Sequence, residues 1–102
     1  MAPGGRVTTG GDCYRAAAKL ATSRRGARLV HGHVERPIGP AIEHHAWIEA
    51  GRKHKRIIDP TVGLDALDTR LRKQGIRYVA EQVYDPYDAL ALVVRSGHWG
   101  PW

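Results

Sequence analysis

The stretch HHAWIEAGRKHKRIIDP, residues 44–60, decides the fold because two strand-like arms flank a short polar turn. The arms, 44–50 and 54–60, carry β-branched and aromatic side chains, and Gly51-Arg52-Lys53 is typical of an exposed tip. Pro60 ends the second arm, since proline cannot donate a hydrogen bond to a strand ladder. The stretch therefore predicts a β-hairpin with a basic tip.

The register of this hairpin follows from the position of its turn. With the tip at 51–53, Glu49 faces Lys55 and His45 faces Asp59. Directly opposed side chains of antiparallel strands lie within reach of each other, so His45 and Asp59 are expected to be cross-strand neighbours. A shift of one residue would send one of them to the opposite face, and the opposite charges of Glu49 and Lys55 favour the register chosen here.

The sequence before the hairpin predicts a helix and a strand. Asp12 can cap a helix that starts at Cys13, because apolar residues recur from there at helical spacing until Gly26 stops the pattern. ARLVHGHVE, residues 27–35, alternates as a strand does. Residues 1–11 contain four glycines and are expected to form a leader loop.

The sequence after the hairpin predicts a helix, a strand and a second helix. LDALDTRLRKQG, residues 64–75, has leucines at spacings of three and four and is expected to form a short amphipathic helix. IRYVAEQVY, residues 76–84, is a strand candidate. Asp85-Pro86 then supplies an N-cap and a proline at the first helical position of a helix that runs to about Ser96.

The order of these elements predicts one α+β domain over residues 1–102, with a small antiparallel sheet packed against the N-terminal helix that bears the cysteine. The tail GHWGPW, residues 97–102, holds two of the three tryptophans and is expected to pack against the domain, since exposed indoles would be costly.

Composition limits the class of protein. The single cysteine cannot form an intramolecular disulfide, no signal-peptide pattern opens the chain, and the apolar run at 89–94 is too short to span a bilayer, so a cytoplasmic protein without membrane association is expected. No cofactor is indicated, and the oligomeric state is left open.

The formal net charge is +6 at a pI near 10.0, which raises the possibility of an acidic partner. The basic residues gather at Arg24-Arg25, 52–56 and 70–73, where solvated turns and helix ends are favoured over a binding site.

Cys13 has the placement that a nucleophile needs. A thiol at a helix N-terminus has its thiolate favoured by unpaired N–H groups and the helix dipole. A catalytic thiol also needs a base, usually histidine, held by a carboxylate or amide. His45 and Asp59 are the candidates for these two roles.

A cysteine that opens a helix, a strand with His-Ala-Trp (45–47) and a strand with Asp-Pro-Thr (59–61) together resemble the papain-like and transglutaminase-like superfamily of Cys-His-Asp enzymes. The resemblance implies a minimal papain-like core in which Cys13 is the nucleophile, His45 the base and Asp59 the orienting residue. With LVHGHV between Cys and His and the tail GHWGPW, the chain is most similar to small papain-like proteins of phages and mobile elements.

One part of the family pattern is missing. Papain-like peptidases usually place a glutamine before the cysteine to stabilise the oxyanion, and no Gln or Asn precedes Cys13 here. Thr8, Thr9 or another donor, together with the backbone N–H of Cys13, would have to replace it.

Other assignments of the same residues are open. His44 competes with His45 as the base, Cys13 could be a buried apolar residue, and Asp59 could be a turn residue before proline. His31 and His33 share a strand face and, with His44 or His45, could bind a metal. The absence of a metal site is the favoured interpretation.

Two functions follow. The leading one is a cysteine hydrolase or acyltransferase that acts on a peptide, isopeptide or glutamine amide of a protein or peptide substrate. The alternative is a basic binding module for nucleic acid or an acidic protein, with an inactive or coincidental triad.

Overall fold

A computed structural model describes residues 12–102, so the predicted leader 1–11, with Thr8 and Thr9, lies outside the described residues. The elements are, in chain order, α1 (Asp12–Ser23), β1 (Arg28–Glu35), β2 (Ile42–Ala50), β3 (Arg56–Asp59), β4 (Leu64–Leu67), α2 (Asp68–Lys73), β5 (Arg77–Tyr84) and α3 (Pro86–Ser96). In this part of the chain, no helix combines the length and the apolar character that crossing a bilayer requires.

The five strands form one antiparallel sheet in the order β4-β3-β2-β1-β5. β2 lies at its centre, and α1, which bears Cys13, packs on one face. The predicted α+β class, with an antiparallel sheet against a cysteine-bearing helix, is confirmed.

Apolar side chains divide into two clusters, one on each face of the sheet. On the α1 face, small helix residues such as Ala17 and Ala21 let the helix lie close to Leu29 and Ile48. The opposite face holds Val30, Val34, Trp47, Ile57, Leu71 and Tyr78. Trp47 is fully buried in this second cluster.

The third helix matches its prediction closely. The Asp85 side chain accepts a hydrogen bond from the backbone N–H of Tyr87, Pro86 occupies the first turn, and Gly97 ends the helix with a left-handed backbone. Local capping signals are sufficient here because each one satisfies backbone groups that the helix leaves unpaired.

The helix predicted over 64–75 is wrong in its first four residues. Leu64–Leu67 is strand β4, and only Asp68–Lys73 is helical. β4 pairs with β3 along its whole length, and Leu64 and Ala66, two residues apart, pack on the Trp47 cluster. The spacing of Leu64 and Leu67 also fits a helix. Pairing with β3, whose edge would otherwise be exposed, outweighs this local preference.

The predicted hairpin register is also wrong, by two residues. The loop spans 51–55 rather than 51–53, and Ile48 pairs with Ile58 and Ala50 with Arg56. Asp59 is therefore not directly opposite His45. Because the shift is an even number, the two side chains keep the same face. Lys55 still lies 3.8 Å from Glu49, but it reaches that carboxylate from the loop.

Gly32 in β1 allows a close approach that places Trp47. A Cβ at this position would overlap the backbone oxygen of Val79 and lie 2.8 Å from the Trp47 ring. Gly32 is also the residue that pairs with His45. The absence of a side chain on β1 thus lets the indole pack across the strand beside the candidate site.

Candidate active site

Cys13 is the second residue of α1 and is fully buried. Its thiol donates a hydrogen bond to the backbone carbonyl of His44, over 3.8 Å. The contact brings the N-terminal turn of the helix against the start of β2, immediately before His45. The N-terminal turn also provides backbone N–H groups without helical partners, which favour negative charge on the sulfur.

His45 and Asp59 form a short buried hydrogen bond. The Nε2 atom of His45 lies 2.6 Å from Oδ2 of Asp59, and each residue is only 1% exposed. The same Oδ2 accepts a hydrogen bond from the Tyr78 hydroxyl at 2.8 Å, and Oδ1 accepts one from the backbone N–H of Thr61 at 3.2 Å. Three donors therefore fix the carboxylate, which in turn fixes the imidazole ring.

The protonated form of His45 is favoured despite burial. Burial alone lowers the pKa of His45, but hydrogen bonds to Asp59 and Cys13 and the charges of both outweigh it and raise the pKa to about 9. The imidazole is thus coupled to the carboxylate on one side and to the thiol on the other. At neutral pH this arrangement favours the imidazolium form of His45.

The two ring nitrogens of His45 have different surroundings. Nε2 is engaged by Asp59, whereas Nδ1 is buried and has no nitrogen or oxygen partner in residues 12–102. With Nε2 engaged, Nδ1 is the ring nitrogen that remains for an interaction with Cys13, which also raises the pKa of His45. Because the Asp59 carboxylate accepts a hydrogen bond from Nε2–H, the neutral ring carries its proton on Nε2. Nδ1 then has a free lone pair that can accept a proton.

His44, the competing base, is exposed and has a left-handed backbone, with φ of 51°. A non-glycine residue in this region carries strain, which persists where the surrounding structure imposes it. At His44 the distortion coincides with the contact between its carbonyl and Cys13. The backbone of His44 and the side chain of His45 thus both meet Cys13.

Tyr78 and Trp47 belong to the site, and the sequence did not reveal the role of Tyr78. Tyr78 lies on β5, which two strands separate from β3, and it meets Trp47 edge-on with ring centroids 5.0 Å apart. Burial and the nearby Asp59 charge raise its pKa, so the hydroxyl remains a donor. The ring of Trp47 stacks beside His45 at 6.1 Å. No spacing along the chain signals contact between β5 and β3.

The two upstream histidines do not join this site. His31 lies among Tyr14, Tyr84 and Trp102, and burial lowers its pKa to about 4. His33 instead contacts two glutamates at the surface, Glu35 and Glu81. Over residues 12–102, no group of three potential metal ligands is present.

Comparison of the chain with protein-family models, with curated proteins and with solved structures finds no match.

Proposed function

We propose that the protein is a cysteine hydrolase or acyltransferase of papain-like type, with Cys13 as nucleophile, His45 as acid and base, and Asp59 as the orienting group. The observation that carries the proposal is the buried 2.6 Å hydrogen bond between His45 and Asp59, on an imidazole whose pKa Cys13 also raises. A histidine held in this way by a carboxylate, next to a thiol at a helix N-terminus, suits acyl transfer.

The proposed reaction has two halves. The Cys13 thiolate attacks the carbonyl carbon of an amide, and the tetrahedral intermediate collapses as its C–N bond breaks and His45 gives its Nδ1 proton to the leaving amine. Water then attacks the thioester while His45 takes its proton, which releases a carboxylic acid and restores the thiolate and imidazolium. An amine in place of water gives a new amide. The N–H of Cys13 supplies one oxyanion donor in this scheme.

Burial of the site sets a condition on substrate access. Cys13 is fully buried and His45 is 1% exposed, so a peptide must enter through local opening around the N-terminal turn of α1. The requirement for this opening lowers the overall rate of reaction at the sulfur. The pH at which the thiolate forms still depends on the charges and hydrogen bonds around it. The pH profile is therefore the informative measurement.

The test is the pH dependence of Cys13 alkylation by iodoacetamide. In the wild type, the rate should reach half its maximum well below pH 8, whereas His45→Ala should move the midpoint to about 8.5, the ordinary thiol value. His44→Asn is the matched control because asparagine tolerates a left-handed backbone, and it should keep the wild-type midpoint. A wild-type midpoint at 8.5 or above, or a thiol that does not react, overturns the proposal.

Substrate class is tested separately with fluorogenic peptide amides and with glutamine peptides plus a primary amine. We expect release of the amine from at least one class, and its loss in Cys13→Ala. Equal turnover by the wild type and Cys13→Ala would assign the activity to something other than this thiol.

A further inference from the structure

Two of the three basic groups in the sequence meet in space, at the end of the sheet away from Cys13. Arg24, Arg25 and Arg28 follow α1, while Arg52 and Arg56 belong to the β2–β3 hairpin, and together they line an open concavity of about 570 Å³. We call these five residues the arginine concavity. The third basic group, 70–73, lies in α2 and does not line the arginine concavity.

The positive charge of the arginine concavity is largely uncompensated. Its remaining lining residues are glycines and an alanine, so no acidic side chain faces it from the walls. Arg56 is paired with Asp65 at 2.8 Å, but Arg24, Arg25, Arg28 and Arg52 make no ion pair within residues 12–102. Guanidinium groups gathered around a hollow match the geometry of phosphate oxygens, which they bind in a bidentate manner.

A second concavity, of about 470 Å³, continues from the first and shares Arg24, Arg25 and Gly26 with it. Its far wall is the start of α3, where Tyr87 is 83% exposed and Leu90 is 45% exposed. The one acidic side chain in this wall, Asp85, is engaged in capping α3. The exposed ring of Tyr87 thus lies at the far end of a second concavity that adjoins the arginine concavity.

We propose that the arginine concavity and Tyr87 bind single-stranded nucleic acid, with the arginines on the phosphates and the tyrosine ring stacked on an unpaired base. A basic groove joined to an exposed aromatic side chain is the arrangement by which proteins hold single strands, since every base offers a face for stacking. Ala50 and Gly51 border the concavity, five or six residues along the chain from His45, so the two sites are about 17 Å apart.

The test is fluorescence anisotropy of a labelled twelve-nucleotide oligothymidylate and its oligouridylate counterpart, between 50 and 200 mM salt. Arg24→Ala with Arg52→Ala should weaken binding at least about tenfold and reduce the salt slope by about 1.4, because each lost phosphate contact on a single strand contributes about 0.7. Arg70→Ala with Lys73→Ala removes the same charge from exposed positions on α2 and should change affinity less than about twofold.

Tyr87 is tested in the same assay. Tyr87→Ala should weaken binding about fivefold with no change in salt slope, and Tyr87→Phe, which keeps the ring, should bind as the wild type does. Equal affinity for the DNA and RNA strands would show that the protein recognises the phosphates and bases that both contain. A preference for one strand would identify that nucleic acid as the ligand.

Four results would overturn the proposal: no wild-type binding at 50 mM salt, equal losses in the two double variants, no effect of Tyr87→Ala, or equal displacement by poly-L-glutamate at the same charge concentration. The last would indicate an acidic protein as the partner. As a control, the melting temperature and the Cys13 alkylation rate of the Arg24/Arg52 double variant should equal those of the wild type. A loss of binding in this variant is then local to the arginine concavity, and the result does not depend on the thiol chemistry.

Discussion

Asp59 holds His45 through a 2.6 Å hydrogen bond between two side chains that are each 1% exposed. Burying a charged pair costs desolvation free energy, which is recovered only when the remaining hydrogen-bonding groups are satisfied. Asp59 meets that condition, because Tyr78 and the Thr61 N–H occupy its other acceptor sites. The pair therefore depends on several elements that the chain brings together from β2, β3 and β5.

Asp59→Asn should lower the pKa of His45 from about 9, because burial is then opposed by Cys13 alone and no longer by a carboxylate charge. The measurement is an NMR titration of the His45 ring. Asp65→Asn removes an exposed carboxylate that pairs with Arg56, and it should leave the His45 titration unchanged. An Asp59→Asn protein with the wild-type His45 pKa would contradict the coupling.

The contribution of His45 to stability should fall as the pH rises from about 6.5 to 9. His45 binds its proton more tightly when folded, with a pKa of about 9 against about 6.5 unfolded, so its contribution is complete below pH 6.5 and lost as pH rises through 9. Formation of the Cys13 thiolate in the folded protein acts in the opposite direction, because the unfolded thiol keeps its proton to about pH 8.5. Urea unfolding at a series of pH values should show the His45 contribution in Cys13→Ala, which lacks the thiol, and the double variant Cys13→Ala with Asp59→Asn should flatten it.

Local signals predict much of this fold, and long-range pairing accounts for the rest. The cap at Asp85 and the cysteine at the start of α1 are encoded within a few residues, and the structure has both. The hairpin register could not be derived this way, because a five-residue loop and a three-residue loop both keep His45 and Asp59 on one face.

The same limit applies to the candidate site and to the basic surface. His45 and Asp59 were found because they lie close in sequence on neighbouring strands, whereas Tyr78 reaches Asp59 from β5, whose position in the sheet the sequence does not state. Arg24 and Arg52 likewise belong to separate basic groups of the sequence, and only the folded sheet places them around one concavity.

His31 should destabilise the protein at acidic pH. Burial lowers its pKa to about 4, so between pH 6.5 and 4 the unfolded chain takes up a proton that the folded chain refuses, and the unfolding free energy falls as pH falls through that range. His31→Phe should remove a part of this fall on the order of 3 kcal/mol. His54→Phe, in the exposed loop 51–55, is the control. Equal slopes for the wild type and both variants would contradict the assignment.

Gly32→Ala should destabilise the protein by about 2–3 kcal/mol, measured by urea unfolding, because the added methyl overlaps the Val79 oxygen and presses on Trp47. Gly26→Ala serves as the comparison. It has a positive φ of 78° but nothing within 4 Å of the new Cβ, so it carries backbone strain alone, about 1 kcal/mol. The interpretation fails if Gly32→Ala proves the milder of the two.

Trp102 should anchor the tail to the domain. Its ring stacks on His31 at 5.3 Å and meets Tyr84 edge-on at 5.2 Å, while its indole N–H donates to the Ser96 hydroxyl at 3.1 Å. Trp102→Ala removes the stacking and the donor together. For a half-buried tryptophan the cost is about 2 kcal/mol, which corresponds to a melting temperature lower by about 10 °C in a domain of this size.

Two further variants separate the ring from its hydrogen bond. Trp102→Phe keeps an aromatic face against His31 but loses the donor to Ser96, so its melting temperature should lie between those of the wild type and Trp102→Ala. Val94→Ala shortens a side chain that is 78% exposed on α3 and should melt within about 2 °C of the wild type. Deletion of residues 98–102 should lower the melting temperature at least as far as Trp102→Ala does. A deleted protein that melts with the wild type would mean that the tail contributes nothing to the stability of the domain.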